Sequence, residues 1–240
     1  MKKFVQGKSC QTITEGFVER QLKKLEEFDK VQGEKDTSRL RNALTFIKMR
    51  ELFAKHDYRT IQLRLAEADY YDMPLEKRGE FLKTPVETLC KTMVMENTAY
   101  ASEYAGDYYP KYICTIVQYV ASLNSDKMMK AVRDYQHANC PDKKAPRSAF
   151  NFRVLEEAQS DEFSGYGHNG VTPFFFAKPL PIFLSKAIEE LGHGYLWLGG
   201  GDTDIKLRIA ISELVSKSET PVIIADLSNS KKTALAGDEN

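Results

Sequence analysis

The spacing of apolar residues changes near residue 57, and this change limits the possible folds of the 240-residue chain more than any other feature. Before it, residues 12–56 follow the three- and four-residue steps of two amphipathic helices. Thr12 and Glu15 have the spacing of a capping box at the start of the first. After it, "RTIQLRLA" (59–66) alternates as a half-buried strand does. The apolar face predicted for the second helix comprises Leu40, Ala43, Leu44, Ile47, Leu52 and Phe53.

Strand patterns outnumber helix patterns in the rest of the chain. The strand candidates are "CKTMVMEN" (90–97), "YICTIVQYV" (112–120), "LPIFL" (180–184), "GYLWL" (194–198), "DIKLRIA" (204–210) and "PVIIAD" (221–226). The helix candidates are "TPVE" (84–87) with Thr84 as N-cap, "SDKMMKAVRDYQ" (125–136) with Ser125 as cap, and "SELVSK" (212–217). The second strand candidate is nearly apolar throughout, as a central strand is. We therefore expect a mixed α/β (α+β) domain whose sheet is mixed or largely antiparallel.

These patterns predict three parts of the chain: a helical extension over 1–56, the α/β domain over 57–227 and a loose polar tail over 228–240. Two interpretations of the extension remain open. It is a helical hairpin that packs on a neighbouring layer, or an arm that docks tRNA or a protein partner through its lysines and arginines.

Charge and cysteine content narrow the class of protein. Lysine plus arginine (34) equals aspartate plus glutamate (34), which argues against a general binder of DNA or other polyanions. The four cysteines are scattered and predict free thiols in a reducing compartment. The start lacks the apolar region of a signal peptide, and no apolar run is long enough to span a membrane, so we expect a cytoplasmic protein. The histidines lack zinc-site spacing, so neither a metal nor a cofactor is expected.

The stretch "SGYGHNGVTP" (164–173) contains the string G-x-G-x-x-G, which in a Rossmann fold binds a dinucleotide pyrophosphate. That motif must follow a strand and open a helix. Here a polar, helix-like segment precedes the string, and prolines at 173, 179 and 181 follow it, so NAD binding is excluded. Two interpretations remain: a loop whose backbone amides approach a ligand, or a glycine-rich turn without one.

Three further features each have a structural and a functional interpretation. "WLGGGDTDIKL" (197–207) is a hairpin, or a second backbone wall of the same pocket formed by Gly200 and Gly201, with Asp204 or Asp202 as acceptor. Cys90, next to Lys91, is a buried structural cysteine or an activated thiol. His168 is a solvated hydrogen-bonding residue or a general base.

Three segments in combination resemble one known family. They are Lys91-Thr92 at the start of a strand, "GYGHNGVTPFF" (165–175) and "GYLWLGGGDTDIKL" (194–207). Together they resemble the YbaK/prolyl-tRNA synthetase-associated editing domain, over about residues 59–226. The resemblance implies a YbaK-like curved, mixed sheet with flanking helices. It also implies a free-standing aminoacyl-tRNA deacylase of eukaryotic type, a hydrolase that serves translation fidelity.

Family roles carry over to matching positions. Lys91 matches the functional lysine, Tyr166 the aromatic residue of the loop, and Asp204 an acidic position after the glycine turn. The end of the loop is matched by Gly170, Val171, Thr172 and Pro173. Asn169 departs from the glycine that many members have, and asparagine adopts left-handed backbone angles more readily than other non-glycine residues.

The resemblance implies hydrolysis of the ester in mischarged tRNA, often tRNA(Pro) carrying Ala, Cys or a similar small amino acid. Two or three backbone amides across Asn169–Thr172, those of Gly170 and Thr172 among them, would stabilise the oxyanion. Lys91 would bind a phosphate or polarise the ester, and the substrate's own groups would assist. Lys143, Lys144 and Arg147, or the extension, would bind the tRNA backbone. The alternative is a non-catalytic module that binds tRNA or prolyl-tRNA synthetase and retains the editing fold.

Overall fold

The computed structural model describes residues 38–67 and 69–230, together with positions 20, 23 and 24. In chain order the elements are α1 (Ser38–Lys55), β1 (Gln62–Leu65), α2 (Leu75–Leu82), β2 (Cys90–Asn97), β3 (Tyr112–Gln118), β4 (Ala121–Leu123), α3 (Ser125–Asn139), β5 (Phe152–Val154), α4 (Glu157–Ser164), β6 (Ile182–Ser185), α5 (Lys186–Glu189), β7 (Tyr195–Gly199), β8 (Ile205–Ala210), α6 (Ile211–Lys217), β9 (Val222–Ala225) and β10 (Ser228–Ser230). The capping box predicted at Thr12 and Glu15 lies outside the described residues.

Two sheets carry the fold. The larger has the strand order β5-β2-β3-β6-β9, in which β3–β6 and β6–β9 are parallel. The smaller, β1-β8-β7, is antiparallel, as are β2–β3, β2–β5 and the pair formed by β4 and β10. The predicted mixed α/β fold with a largely antiparallel sheet is confirmed, and β3 is central. β10 takes in residues 228–230, which the sequence assigned to the tail.

The larger sheet separates two layers of core. Along β3, Ile113 and Val117 point to one layer while Cys114 and Ile116 point to the other, as the alternation of a strand requires. Helix α3 covers the first layer. The smaller sheet and α1 cover the second, so one face of β7 and β8 is buried against the larger sheet.

Helix α1 belongs to this second layer. Met49 and Phe53 are buried in its core, whereas Leu40 and Ile47, predicted for the same face, are exposed. Asn42 also ties the helix to the smaller sheet, because its side-chain amide donates to Asp204 Oδ2 at 2.6 Å.

Two predicted helix caps are wrong. Helix α3 is capped by Asn124, whose side chain accepts from the Lys127 amide at 3.0 Å, and Ser125 is the first helical residue. The segment after Thr84 forms only a 3₁₀ turn, Val86–Thr88, and the Thr84 hydroxyl bonds those of Thr88 and Tyr195 instead of capping a helix. None of the helices in the described ranges combines the length and apolar character needed to cross a bilayer.

Candidate active site

The candidate site lies along an open strand edge. Strand β5 pairs only with the end of β2, and Trp197 of β7 bridges to Leu89 just before β2, so β2 has no strand partner on that side from Lys91 to Val94. Val94 directs its carbonyl to this side, where the Leu155 amide donates to it at 2.9 Å. Because backbone groups alternate along a strand, Thr92 directs its amide and carbonyl the same way. The chain therefore presents backbone donors and acceptors at this edge.

A cleft of about 390 Å³ runs along the edge. This volume falls in the range of small-molecule sites. Of the predicted site residues, the cleft is lined by Lys91, His168, Asn169 and Val171. Its remaining lining residues are Tyr71, Cys90, Thr92, Met93, Val94, Tyr119, Val154, Leu155, Glu157, Ser160, Asp161 and Gly199. The lysine of β2 and the glycine-containing loop, distant in sequence, thus border one cleft.

The G-x-G-x-x-G string closes a helix instead of opening one. Gly165 has φ 77° and is the left-handed C-cap of α4, its amide donating to Asp161 O at 2.7 Å. The Gly170 amide donates to Gly167 O at 3.0 Å and closes a turn. Asn169, inside that turn, has φ 60°, the left-handed angle expected of it. This geometry explains why the string is not a dinucleotide motif.

Other predicted residues support the loop from behind the cleft. Tyr166 donates its hydroxyl to Phe174 O at 2.8 Å and faces α1. Thr172 is fully buried, and its Oγ1 has no hydrogen-bond partner among the described residues. Pro173 lines a separate small cavity with Tyr58.

The second glycine cluster packs directly against this loop. Gly201 donates its amide to Gly170 O at 2.9 Å, and Thr203 donates its hydroxyl to His168 O at 2.9 Å. A Cβ on Gly199 would lie 2.6 Å from Val171 O, so only glycine permits the contact. Gly199 lines the cleft, whereas Gly200 and Gly201 form the turn behind it. Asp204 binds α1 through Asn42, as described above, and does not line the cleft.

One wall of the cleft is acidic, which the sequence analysis did not predict. Helix α4 presents Glu157, Ser160 and Asp161 to it, at the i, i+3, i+4 spacing that places residues on one helix face. Burial raises the pKa of Asp161, the Glu157 carboxylate adds to the rise and His168 opposes it. His168 Nδ1 is 3.5 Å from Glu157 Oε1, and both side chains are exposed. The helical spacing in "EEAQSD" was the signal that could have revealed this wall.

A buried lysine also holds the loop in place. Lys206 Nζ donates to Tyr71 Oη at 2.9 Å and to Thr203 O at 2.6 Å, and the Tyr71 hydroxyl donates to Asn169 O at 2.9 Å. Burial lowers the pKa of Lys206 to about 7, with Asp204 opposing the change. Alternation along β8 predicts the orientation of this lysine, but its burial depends on the tyrosines packed over it.

Cys90 matches the structural interpretation. Its side chain is buried, burial raises the pKa of its thiol, and Sγ lies 3.4 Å from Thr88 O. In the part of the chain that the structure describes, no three His, Cys, Asp or Glu side chains gather in a way that could hold a metal ion.

No protein-family model matches the chain, and no similar sequence is found among curated proteins. Solved structures do share its fold. A candidate trans-editing enzyme for prolyl-tRNA synthetase has TM-score 0.57 at 16% identity, over 77% of this chain and 97% of that one. A structure from computational epitope grafting onto scaffold proteins has TM-score 0.57 at 14% identity, over 77% and 97%. A hypothetical protein has TM-score 0.53 at 17% identity, over 75% and 98%.

These likenesses establish the fold: the chain has the mixed α/β, YbaK-like architecture of the trans-editing candidate.

Proposed function

We propose that this protein is a trans-editing hydrolase that cleaves the aminoacyl ester of mischarged tRNA. The observation that carries the proposal is the shared cleft: Lys91, the loop from His168 to Val171 and the open edge of β2 border it together. The proposed substrate class is tRNA(Pro) carrying Ala, Cys or a similar small amino acid, in keeping with the motifs and with the fold of the candidate trans-editing enzyme.

Backbone amides would stabilise the oxyanion of the ester as water attacks. The Gly170 amide already donates within its own turn, and Thr172 is fully buried and does not line the cleft. We therefore assign this role to the amides of Val171 and Thr92. Losing one such donor typically raises the activation barrier by about 3–4 kcal/mol. The open strand edge therefore adds to the loop a second set of donors for the same reaction.

The charged residues of the cleft suit the two ends of an aminoacyl ester. Lys91 would bind the phosphate next to the terminal adenosine or polarise the ester carbonyl. The carboxylate of Asp161 would accept the cationic α-amino group of the amino acid. His168, oriented by Glu157, would remove a proton from the attacking water. The 2′-hydroxyl of the terminal ribose would assist, since the Cys90 thiol is buried and burial raises its pKa.

A panel of mischarged tRNAs tests the proposal. Wild type is compared with Lys91→Ala and with the matched control Lys186→Ala, whose exposed ammonium pairs with Glu190 on the surface. We expect at least one aminoacyl ester to be cleaved faster than in buffer, with kcat/KM about 100-fold lower in Lys91→Ala and unchanged in the control.

Two results would contradict the proposed enzymatic function. One is cleavage of no ester in the panel; the other is Lys91→Ala activity equal to that of wild type. Stoichiometric association with prolyl-tRNA synthetase or tRNA in the absence of cleavage would favour the non-catalytic binding module instead.

A further inference from the structure

A basic groove of about 430 Å³ lies on the outer face of the smaller sheet. Its cations are Arg64 from β1, Arg208 from β8 and Lys83, the C-cap of α2. The rest of its lining is uncharged: Gln62, Leu63, Leu82, Tyr195 and Trp197. The groove therefore presents three positive charges and no carboxylate in a protein whose formal net charge is zero.

Aromatic rings hold both arginines in place. The guanidinium carbon of Arg208 lies 3.9 Å from the centroid of the Tyr195 ring, and that of Arg64 lies 4.5 Å from the Phe81 centroid. Arg208 also donates to Gln62 Oε1 at 3.1 Å. Stacking uses the face of a guanidinium and leaves N–H groups at its edge to bind a phosphate. No described carboxylate forms an ion pair with either arginine.

A second groove with basic residues, beneath α3, differs in this respect. Its cations are Lys130, Arg133 and Arg147, and the carboxylate of Asp126 also lines it. Lys130 pairs with Asp134 and Arg147 pairs with Asp126, so neighbouring carboxylates offset two of the three charges. This region packs against the opposite side of the larger sheet from β7 and β8. Charge complementarity to a polyanion therefore favours the groove on the smaller sheet over the Arg147 region predicted from the sequence.

The basic groove is close to the cleft. A small cavity of about 10 Å³ lies between them. It is bordered by Leu82 and Trp197, which line the groove, and by Tyr71 and Gly199, which line the cleft. Lys206, between the two regions, is the cross-strand partner of Arg64. Residues that line the groove and residues that line the cleft are therefore direct neighbours.

We propose that the basic groove docks the ribose-phosphate backbone of the RNA whose aminoacylated end enters the cleft. The inference rests on the proposed function. A cleft of this size takes only the end of a tRNA, so nearby phosphates must lie on the adjoining surface. Phosphate contacts of this kind position a nucleic acid without reading its bases.

The double variant Arg64→Gln/Arg208→Gln tests the groove on two substrates, mischarged tRNA and the corresponding 3′-O-aminoacyl adenosine. We expect KM for the tRNA to rise at least 10-fold, while kcat and the rate with aminoacyl adenosine stay within about twofold of wild type. The slope of log(kcat/KM) against log salt should become shallower by about 1.5, because each lost phosphate contact contributes about 0.7–0.9. The control Lys130→Gln/Lys186→Gln removes two charges that are paired on helices and should change neither quantity.

An unchanged KM and an unchanged salt slope in the groove variant would overturn the inference. If wild type cleaves neither substrate, the proposed function fails. The groove is then tested separately by fluorescence anisotropy, which measures the binding of an acceptor-stem RNA hairpin that carries no amino acid. Weaker binding of the hairpin by the groove variant than by wild type supports the inference, and equal binding overturns it. The inference would also be overturned, in favour of an acidic protein partner, if the protein bound a glutamate peptide with the same net charge as the hairpin more tightly than it bound the hairpin.

Discussion

At the scale of single residues, Asp161 combines a stability cost with a proposed role. Its Oδ1 is buried and has no hydrogen-bond partner among the described residues, and its pKa is raised first by burial and then by Glu157. A carboxyl whose folded pKa lies above its unfolded value destabilises the fold when it is ionised. Groups retained at such a cost are characteristic of functional sites.

Asp161→Asn should therefore raise the melting temperature at pH 7 while lowering deacylation at least 10-fold. The stability gain should shrink as the pH falls toward 3, because below the unfolded pKa the wild-type carboxyl is neutral in both states. Thermal unfolding at several pH values, with kinetics at pH 7, measures both effects. The control is Glu162→Gln, which neutralises a neighbouring, exposed carboxylate. A stability difference that does not vary with pH would contradict the assignment.

At the scale of elements, the loop 165–173 and the turn after β7 form one unit. The two meet backbone to backbone: Gly201 donates to Gly170 O, and Gly199 leaves no space for a Cβ beside Val171 O. Each segment is recognisable alone as glycine-rich, and their contact requires that neither has a side chain there.

Gly199→Ala should destabilise the protein by about 1–3 kcal/mol, because the added methyl must displace the loop backbone. It should also lower kcat/KM more than this loss of folded protein explains. Urea unfolding and steady-state kinetics measure the two effects. Gly167→Ala, in the same loop, meets nothing within 4 Å and should stay close to wild type in stability. Equal effects of the two substitutions would contradict the packing argument.

Lys206, on the outer face of β8, makes the stability of the protein depend on pH. Its pKa is lowered to about 7 by burial; Asp204 and Asp202 oppose this and Arg78 reinforces it, and the rings of Tyr70 and Tyr71 pack over the ammonium. Between pH 7 and 10.5 the folded protein then binds fewer protons than the unfolded chain. Stability from this group rises with pH across that window.

Lys206→Met should remove this rise. The difference in unfolding free energy between wild type and variant should change with pH from 7 to 10 by at most about 1.4 kcal/mol per unit. Urea titrations at pH 7, 8.5 and 10 measure it, and the exposed Lys77→Met is the control. Parallel pH profiles for wild type and Lys206→Met would show that the pKa of the lysine is the same in the folded and unfolded states.

At the scale of the whole molecule, α1 is part of the core that supports the site. Phe53 packs edge-on against Phe174 and Tyr58, with ring centroids 5.1 and 5.3 Å away, and Phe174 follows the site loop directly. The helix thus contributes to the same core as the two sheets.

Phe53→Ala should lower the free energy of unfolding by about 3–5 kcal/mol, because it leaves a cavity between α1 and the loop. Ile47→Ala, on an exposed part of the same helix, should cost less than 1 kcal/mol. Circular dichroism and tryptophan fluorescence during urea unfolding should report coincident transitions. Separate transitions would mean that α1 unfolds independently of the sheets.

Periodicity and local composition predicted most of the elements and the fold class. The β-branched and apolar segment 90–97 is β2, and the apolar segment 112–120 contains the central strand. The prolines after the glycine string excluded a dinucleotide motif. These inferences succeed because helix and strand periods, proline geometry and the left-handed tolerance of Asn169 are local properties.

The tertiary structure decided which of these parts meet. Lys91 borders the same cleft as Asn169 only because β2 has an open edge, and the acidic face of α4 becomes a wall because that helix follows β5. The perturbed pKa of Lys206 and the exposure of Ile47 likewise depend on what packs against them. Sequence by itself determines local conformation and apolar pattern, whereas burial, proximity and pKa arise from contacts between distant segments, which no local pattern encodes.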